Sequence, residues 1–310
     1  MSSARVSVVI AARDVEAFIV QAVRSALEQP EVSEVIVVDD GSMDDTGPLA
    51  AQAGAIVLQE CFGSVAAARN HGIERAKESL IAFLDGDDAW LPHSLSTRLH
   101  ALEQDSSLVC VFSQMKVVNA AGEPLGRSRL GKAGLASFET LLKEDIIPTG
   151  TVLVRKDALI ACGLFDESLP QGSDHDLWLR LALKFPNSLK GINSVDAIYR
   201  RRPRQITKNV NTFLSAWESL LKKMERLQPE IVKRNRNQAN ANAYRVASLS
   251  AYEQDEFPLA FNLLNQSLRF SPITMLSDRR TWWQLGAILS ARFMPRPLHI
   301  GLERLMRELR

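Results

Sequence analysis

The chain has 310 residues, 46% hydrophobic and 24% charged, with 37 basic against 36 acidic side chains and a formal net charge of +1. This is an ordinary soluble composition, long enough for one large domain or two modest ones, at about 100–200 residues each. The charge is unevenly spread: residues 1–199 hold 17 Lys/Arg and 27 Asp/Glu, a net −10, and the remainder hold 20 and 9, a net +11, which reads as two segments with different partners.

In chain order, Val6 to Ile10 reads as a short buried strand, followed by a helix from Val15 with Phe18, Ile19, Ala22, Val23, Ala26 and Leu27 at helical spacing behind Asp14 as N-cap. Val35 to Val38 is a second strand, Gly47 to Ala53 a weak helix, Ala55 to Leu58 a third strand, Val65 to Ala76 an Ala-rich helix and Leu80 to Leu84 a fourth strand. Strands alternating with helices imply crossovers and a mainly parallel sheet, with ligands bound beyond the carboxyl ends of the strands. A helix from Pro92 to Gln104, an apolar run Leu108 to Val118, a mobile Gly/Lys/Arg-rich stretch to Gly134, a strand Val152 to Val154, a helical stripe Leu177 to Leu183 and a last strand Val195 to Tyr199 complete the α/β part. From Asn211 the pattern is helical, and residues 242–272 place Tyr244, Ala247, Ala260, Leu264 and Pro272 as one tetratricopeptide-like hairpin would. One such hairpin cannot bury its own face and must pack on the α/β domain or a partner.

Cys61, Cys110 and Cys162 give neither a disulfide framework nor a metal knuckle, which fits a reducing, cytoplasmic setting. Met1 to Arg5 lack the pattern of a signal peptide. Thr281 to Ala291, closed by Arg280 and Arg292, is shorter than the roughly 20 residues of a membrane helix, so any membrane contact is expected to be peripheral. No nucleic-acid partner is expected.

The most informative segment is Ile81-Ala82-Phe83-Leu84-Asp85-Gly86-Asp87-Asp88, an apolar strand ending in three carboxylates, with Gly86 expected to allow a sharp turn. Such carboxylates repel one another unless a cation sits among them, and all-oxygen ligands suit Mg²⁺ or Mn²⁺ with positions left for substrate phosphates. A second acidic cluster, Asp39-Asp40-Gly41-Ser42 with Asp44 and Asp45, ends the second strand; one carboxylate there can accept hydrogen bonds from a nucleotide and the others can cap the next helix. Arg69 sits on a helix that passes both clusters, where a guanidinium can pair a diphosphate or balance the acidic surface. Asp174, in Ser173-Asp174-His175-Asp176-Leu177-Trp178, begins a helix whose dipole favours its ionised form, making it either a general base or an N-cap. His175 is expected to pack rather than to react.

In their order and spacing, Val6-Ser7-Val8-Val9-Ile10, Val37-Val38-Asp39-Asp40-Gly41-Ser42, Ala68-Arg69-Asn70, Phe83-Leu84-Asp85-Gly86-Asp87-Asp88, Gly150-Thr151 and Asp174-His175-Asp176-Leu177-Trp178 resemble the catalytic domain of glycosyltransferase family 2, over residues 5 to about 204. The resemblance implies the GT-A fold, over residues 1–204, ahead of an α-helical region at 205–310. It also implies inverting transfer of a sugar from a nucleotide diphosphate donor, UDP- or dTDP-linked, to a hydroxyl of a carbohydrate or lipid-linked acceptor. On that pattern Ala12, Asp14, Asp39, Arg69 and Asp85 lie by the nucleotide, Asp85 and Asp87 form the element that binds Mg²⁺ or Mn²⁺, and Asp174 is the base. Three departures are visible. Ala11-Ala12-Arg13-Asp14 replaces the usual Pro-Thr-Tyr-Asn, so contacts there come mostly from backbone. Ser173 replaces the Glu of the family's Glu-Asp pair. Arg202 replaces a common His and can serve only the diphosphate, because a guanidinium cannot ligate a cation.

Two other readings compete: a haloacid dehalogenase-type phosphatase, whose Asp-x-Asp motif normally ends the first strand, and a non-catalytic nucleotide-sugar binding protein. Finally, Trp282, Trp283, Leu285, Ile288 and Leu289 beside Arg279, Arg280, Arg292 and Arg296 read as an interfacial face for an anionic membrane surface, placing the protein on the inner face of the membrane. The alternative is that these residues pack the terminal helices onto the catalytic domain.

Overall fold

The computed structural model of the chain describes residues 5–202 and 209–293. Strands and helices alternate through β1 (Val6–Ala12), α1 (Glu16–Leu27), β2 (Val32–Asp40), α2 (Thr46–Gln52), β3 (Ile56–Glu60), α3 (Val65–Arg75) and β4 (Leu80–Asp85). There follow β5 (Ala89–Trp90), α4 (Ser94–Gln104), β6 (Cys110–Val118), β7 (Pro124–Leu130), β8 (Gly134–Leu135), α5 (Phe138–Lys143), a 3-10 turn at Thr149–Thr151, β9 (Leu153–Arg155), α6 (Lys156–Ala161), α7 (Ser173–Lys184) and β10 (Leu189–Arg200). The rest of the described chain is helical: α8 (Val210–Leu227), α9 (Pro229–Tyr252), α10 (Phe257–Phe270), α11 (Pro272–Ser277) and α12 (Arg279–Phe293).

The strands make one mixed sheet in the order β3-β2-β1-β4-β9-β6-β10-β5, with β7 paired to β6 and β8 to β10. The four strands β3, β2, β1 and β4 are parallel, as the alternation requires. β9 runs antiparallel to both β4 and β6, so the turn that precedes it arrives at the same edge as the carboxyl end of β4. Side chains alternate between two buried layers: Val9 enters one with Ala68, Phe83 and Trp178, whereas Val8 and Ile10 enter the other with Ile19, Val23 and Leu95. A sheet covered on both faces explains why β1, β2 and β4 are near-continuous apolar runs. Helix α3 lies so close to β1 that a Cβ on Gly72 would stand 2.4 Å from Val9 Cγ1.

Several expectations are corrected. Asp14 does not cap α1: it has φ 49°, and the first N–H groups of that helix are taken by Thr46 Oγ1 (from Val15) and Asp44 Oδ2 (from Glu16). In the stretch expected to be mobile, the backbone forms β7, paired with β6, and β8 follows at Gly134, paired with β10. Gly86 does lie in the expected sharp turn, closed by the Asp88 N–H donating to Asp85 O at 3.0 Å; its φ is not positive, and glycine also gives space there, since a Cβ would lie 3.0 Å from Val15 Cγ2 and 3.2 Å from Ala12 Cβ.

The helical region is joined to the α/β part. Trp217, Leu220, Leu221 and Met224 of α8 and Val232, Ala239 and Ala243 of α9 belong to the same buried cluster as Phe83 and Trp178. The two oppositely charged segments are each other's partners: Lys223 pairs with Asp166 at 2.6 Å and Asp176 at 2.7 Å, and Arg280 with Glu144 at 2.6 Å. Within the hairpin of α9 and α10, Ala247, Ala260 and Leu264 are buried together, and Tyr244 lies 5.1 Å from Phe270 between ring centres. Trp283, Leu285 and Ile288 pack into this cluster, which overturns their assignment to an outward face. The expected domain boundary near 204, and Arg296 with its flanking prolines, lie outside the described residues, as does the side chain of Arg292.

Candidate active site

The register of the parallel strands sets the first half of the site. Ala11 stands opposite Asp85 and Ala12 opposite Asp39, so the ends of β1, β2 and β4 bring Ala12, Asp39 and Asp85 side by side. Asp39 accepts hydrogen bonds at Oδ1 from the N–H and hydroxyl of Ser42, and a Cβ on Gly47 would lie 2.6 Å from its Oδ2. Glycine at 47 therefore keeps room for that carboxylate at the start of α2. Asp40 is spent on structure, accepting the N–H groups of Phe62 at 2.6 Å and Gly63 at 2.9 Å. Asp14, at the rim, accepts the N–H of Met43 at 2.8 Å and donates its own N–H to Ser42 Oγ.

Each carboxylate of the metal-type element carries an arginine. Arg69 Nη2 lies 2.7 Å from Asp85 Oδ1, its guanidinium over the Phe165 ring; Arg202 Nε lies 2.6 Å from Asp87 Oδ2. Burial, and then the Asp85 charge, push the Asp87 carboxyl above the usual carboxylate range, while Arg202 pulls it down. Asp88 is pushed further by burial and by both neighbouring carboxylates. It is 2% exposed and accepts the Arg200 N–H at 2.9 Å. It is thus a structural carboxyl that fastens the end of β10 to the turn after β4.

Arg200 was not legible as a site residue. Its Nε donates to Asp87 O at 3.0 Å, its Nη2 to Gln21 Oε1 at 2.8 Å, and its guanidinium covers Phe18. It holds the backbone of the acidic turn, a role visible only once residues more than a hundred positions apart are neighbours. Asn70 works similarly: its side chain exchanges hydrogen bonds with the backbone of Phe165 and donates to Glu167, clamping the loop against which Arg69 stacks.

Helix α7 opens after Gly172, whose φ of 74° suits glycine. Asp174 Oδ2 accepts the Thr149 hydroxyl at 3.0 Å; the 3-10 turn carrying Thr149 is itself fixed by Trp90 Nε1, which donates to Gly150 O at 2.7 Å. Asp176 points elsewhere, fully buried between Arg180 and Lys223, as the roughly 200° between alternate helix residues requires. His175 packs as expected, stacked on Trp217 with Nε2 2.7 Å from Leu141 O.

Asp145 was also missed. It is exposed and lies within electrostatic reach of Asp174. Desolvation heads the causes that push its carboxyl up to about 6, with the Asp174 charge adding and His175 opposing. Its contact with solvent limits the desolvation. A second carboxylate therefore stands by Asp174 although Ser173 occupies the position next to it.

Among the described residues, no three His, Cys, Asp or Glu side chains gather into a set able to hold an ion alone. The donor set still fits a hard divalent cation: Arg69 and Arg202 each take one carboxylate oxygen, leaving Asp85 Oδ2 and Asp87 Oδ1 for an ion that draws its remaining oxygens from phosphates and water. The like-charge crowding that raises Asp87 is what such an ion relieves.

A mixed sheet sandwiched by helices, with carboxylates at the ends of β2 and β4 and another opening α7, is the architecture of a nucleotide-sugar transferase. The sequence model described as Glycosyl transferase family 2 matches residues 7–162, and the chain belongs to that family. It is 31% identical over 196 residues to the succinoglycan biosynthesis protein ExoU of Rhizobium meliloti, a match covering 56% of each chain, so this chain spans about half of that relative's length. It is 28% identical over 212 residues to the Escherichia coli UDP-Glc:alpha-D-GlcNAc-diphosphoundecaprenol beta-1,3-glucosyltransferase WfaP, covering 66% of this chain and 80% of WfaP. The crystal structure of S. aureus TarS in complex with UDP-GlcNAc superposes with a TM-score of 0.63 at 18% identity, over 98% of this chain and 90% of the other. The shared fold therefore includes the C-terminal helices.

Proposed function

We propose that this glycosyltransferase carries out inverting, metal-dependent transfer of a hexose from a uridine or thymidine diphosphate donor to a hydroxyl of a carbohydrate or lipid-linked acceptor, in the synthesis of a cell-surface polysaccharide or glycolipid. The observation that carries this reading is the gathering of two carboxylate sets at one edge of the sheet: Asp39, Asp85 and Asp87 where β2 and β4 end, and Asp174 at the start of α7, hydrogen-bonded to Thr149 of the turn that precedes β9. In this reading Asp39, backed by Ser42 and given room by Gly47, receives the base, with Ala12 and Asp14 bordering it through their backbone. Asp85 is shared between ribose and cation, and Asp87 is the main protein ligand. When bound, Mg²⁺ or Mn²⁺ supplies positive charge against the phosphate that leaves.

Arg69 and Arg202 hold the two carboxylates as ion pairs until a diphosphate offers them a stronger partner, and Arg202 then stabilises the charge that builds on the leaving group. Asp174 takes the proton of the acceptor hydroxyl on the opposite face of the sugar, so one in-line displacement inverts the anomeric centre. The reaction balances without a covalent nucleophile: the glycosidic bond to the diphosphate breaks, the bond to the acceptor oxygen forms, and its proton passes to Asp174. The family relatives named for succinoglycan and for a diphosphoundecaprenol acceptor support the polysaccharide and lipid-linked reading.

The test is release of nucleoside diphosphate from a panel of donors with and without Mn²⁺, followed by NMR of the product's anomeric configuration. Retained configuration, or full release in excess chelator, sinks the scheme. Release from a phosphate ester panel instead would favour the phosphatase reading, and donor binding without turnover would favour the non-catalytic one.

A further inference from the structure

Among the described residues, thirteen large hydrophobic side chains are exposed, and four of them fall within α11 and α12: Ile273 (87%), Leu276 (48%), Trp282 (54%) and Leu289 (37%). They are not scattered. Ile273 and Leu276 share one face of α11 at i, i+3, while Trp282 and Leu289 share one stripe of α12 at i, i+7 with Gly286 between them. Trp282 Nε1 donates to Leu276 O at 2.7 Å, which ties the two helices' faces together and satisfies the only polar atom of the indole. The opposite side of α12 is committed to the protein interior through Thr281, Gln284, Ala287 and Ile288. The stripe is therefore not a displaced core face.

Its border is basic. Arg279 lies three residues before Trp282 on the same stripe, and Arg269 is exposed at the end of α10, just before α11. The acidic residue closest in sequence, Asp278, is already paired with Arg280. Apolar side chains including a tryptophan, rimmed by arginines with no unpaired acid beside them in sequence, are complementary to an anionic lipid surface, which offers headgroup charge and acyl boundary together. No described helix is long and apolar enough to cross a membrane, so the contact is one of lying on the surface.

We propose that the face formed by Ile273, Leu276, Trp282 and Leu289 docks this protein on anionic membrane. The face differs from the one that sequence spacing picks out, because Trp283, Leu285 and Ile288 are packed inward.

The experiment uses the full chain with vesicles of phosphatidylcholine alone and of phosphatidylcholine with 30 mol% phosphatidylglycerol, without donor or acceptor. Failure of the catalytic reading therefore leaves this test intact. Co-sedimentation should need the anionic lipid and weaken at high salt. Ile273→Ser combined with Trp282→Ser should weaken binding by about tenfold or more, with far-ultraviolet circular dichroism and sedimentation as a monomer kept, because both side chains are largely exposed. Trp282→Phe should keep binding while losing the emission quenched by brominated lipid, since the other four tryptophans are buried or half-buried. Equal binding by the double variant, equal binding to neutral vesicles, or a dimer in sedimentation velocity that the double variant dissolves would each overturn the proposal, the last by assigning the face to a second copy.

Discussion

The two carboxylate sets, which the proposed function assigns to a donor side and an acceptor side, are built by different means. On the proposed donor side, three carboxylates come from the ends of β2 and β4, the strands flanking β1, and the register fixes Ala12 against Asp39 and Ala11 against Asp85. On the proposed acceptor side, Asp174 accepts a hydroxyl from another element, and that element is held by an indole sixty positions away in sequence. Strand-end geometry is local and repetitive, so it leaves a readable pattern of apolar run, carboxylate and glycine. Side-chain fastening leaves no such pattern, because Thr149, Trp90 and Lys223 could sit anywhere in a sequence and mean nothing.

The largest effect that would break this contrast is in catalysis. Asp174→Asn should lower turnover by roughly 10²–10⁴ with donor affinity kept, whereas Asp176→Asn should reduce stability and leave turnover per folded molecule near that of the parent protein. The reverse outcome in steady-state kinetics and urea melts would exchange their roles. On the donor side, Gly47→Ala pushes a methyl group to within 2.6 Å of Asp39 Oδ2. Nucleotide affinity, read by calorimetry, should fall by about tenfold, the worth of one displaced charged hydrogen bond, and an unchanged affinity removes Asp39 from the nucleotide site.

Smaller effects sharpen the acceptor side. Lys223→Met leaves Asp166 and the buried Asp176 short of a partner, and should cost about 1–3 kcal/mol in urea unfolding with donor affinity unaffected. Asp145, its carboxyl pushed above the usual carboxylate range, should gain its proton at a higher pH than a free carboxyl does; a step in the transfer rate above the ordinary carboxylate range, abolished by Asp145→Asn, would place it beside the reacting groups. The smallest expected signal is acid sensitivity of the helical docking. Desolvation would raise Asp166, but hydrogen bonds from Lys223 and Ser168 outweigh it and hold the carboxyl at about 2. Because the folded pKa is depressed, this pair's contribution is complete above the unfolded value near 3.8 and is lost as pH falls toward 2. Lys223→Met should flatten that part of the stability curve.

Sequence reading located β1 to β4 and both acidic clusters because period and composition are strong there. It erred where a strong local signal hid a long-range one. Asp14 has the chemistry of an N-cap, yet Thr46 and Asp44 from the next loop supply the cap and release it to the rim. The charge split suggested two partners; the opposite signs instead attract each other across the α8 contact. Arg200 and Asp145 carry no motif of their own, and only the fold gives them neighbours.

The fastening of Asp88 by the Arg200 N–H also bears on how much of the chain the site requires. A chain ended just after β4 would hold three crowded carboxylates and, of the arginines that pair or fasten them, only Arg69. The others come with β10, the last strand, which lies alongside β6 and carries Arg200 at its end with Arg202 just beyond. Completing the sheet and fastening the acidic turn are thus one structural requirement. A fragment ended before residue 200 would keep most of the motifs that identify the family, yet lack the charges that make them a site.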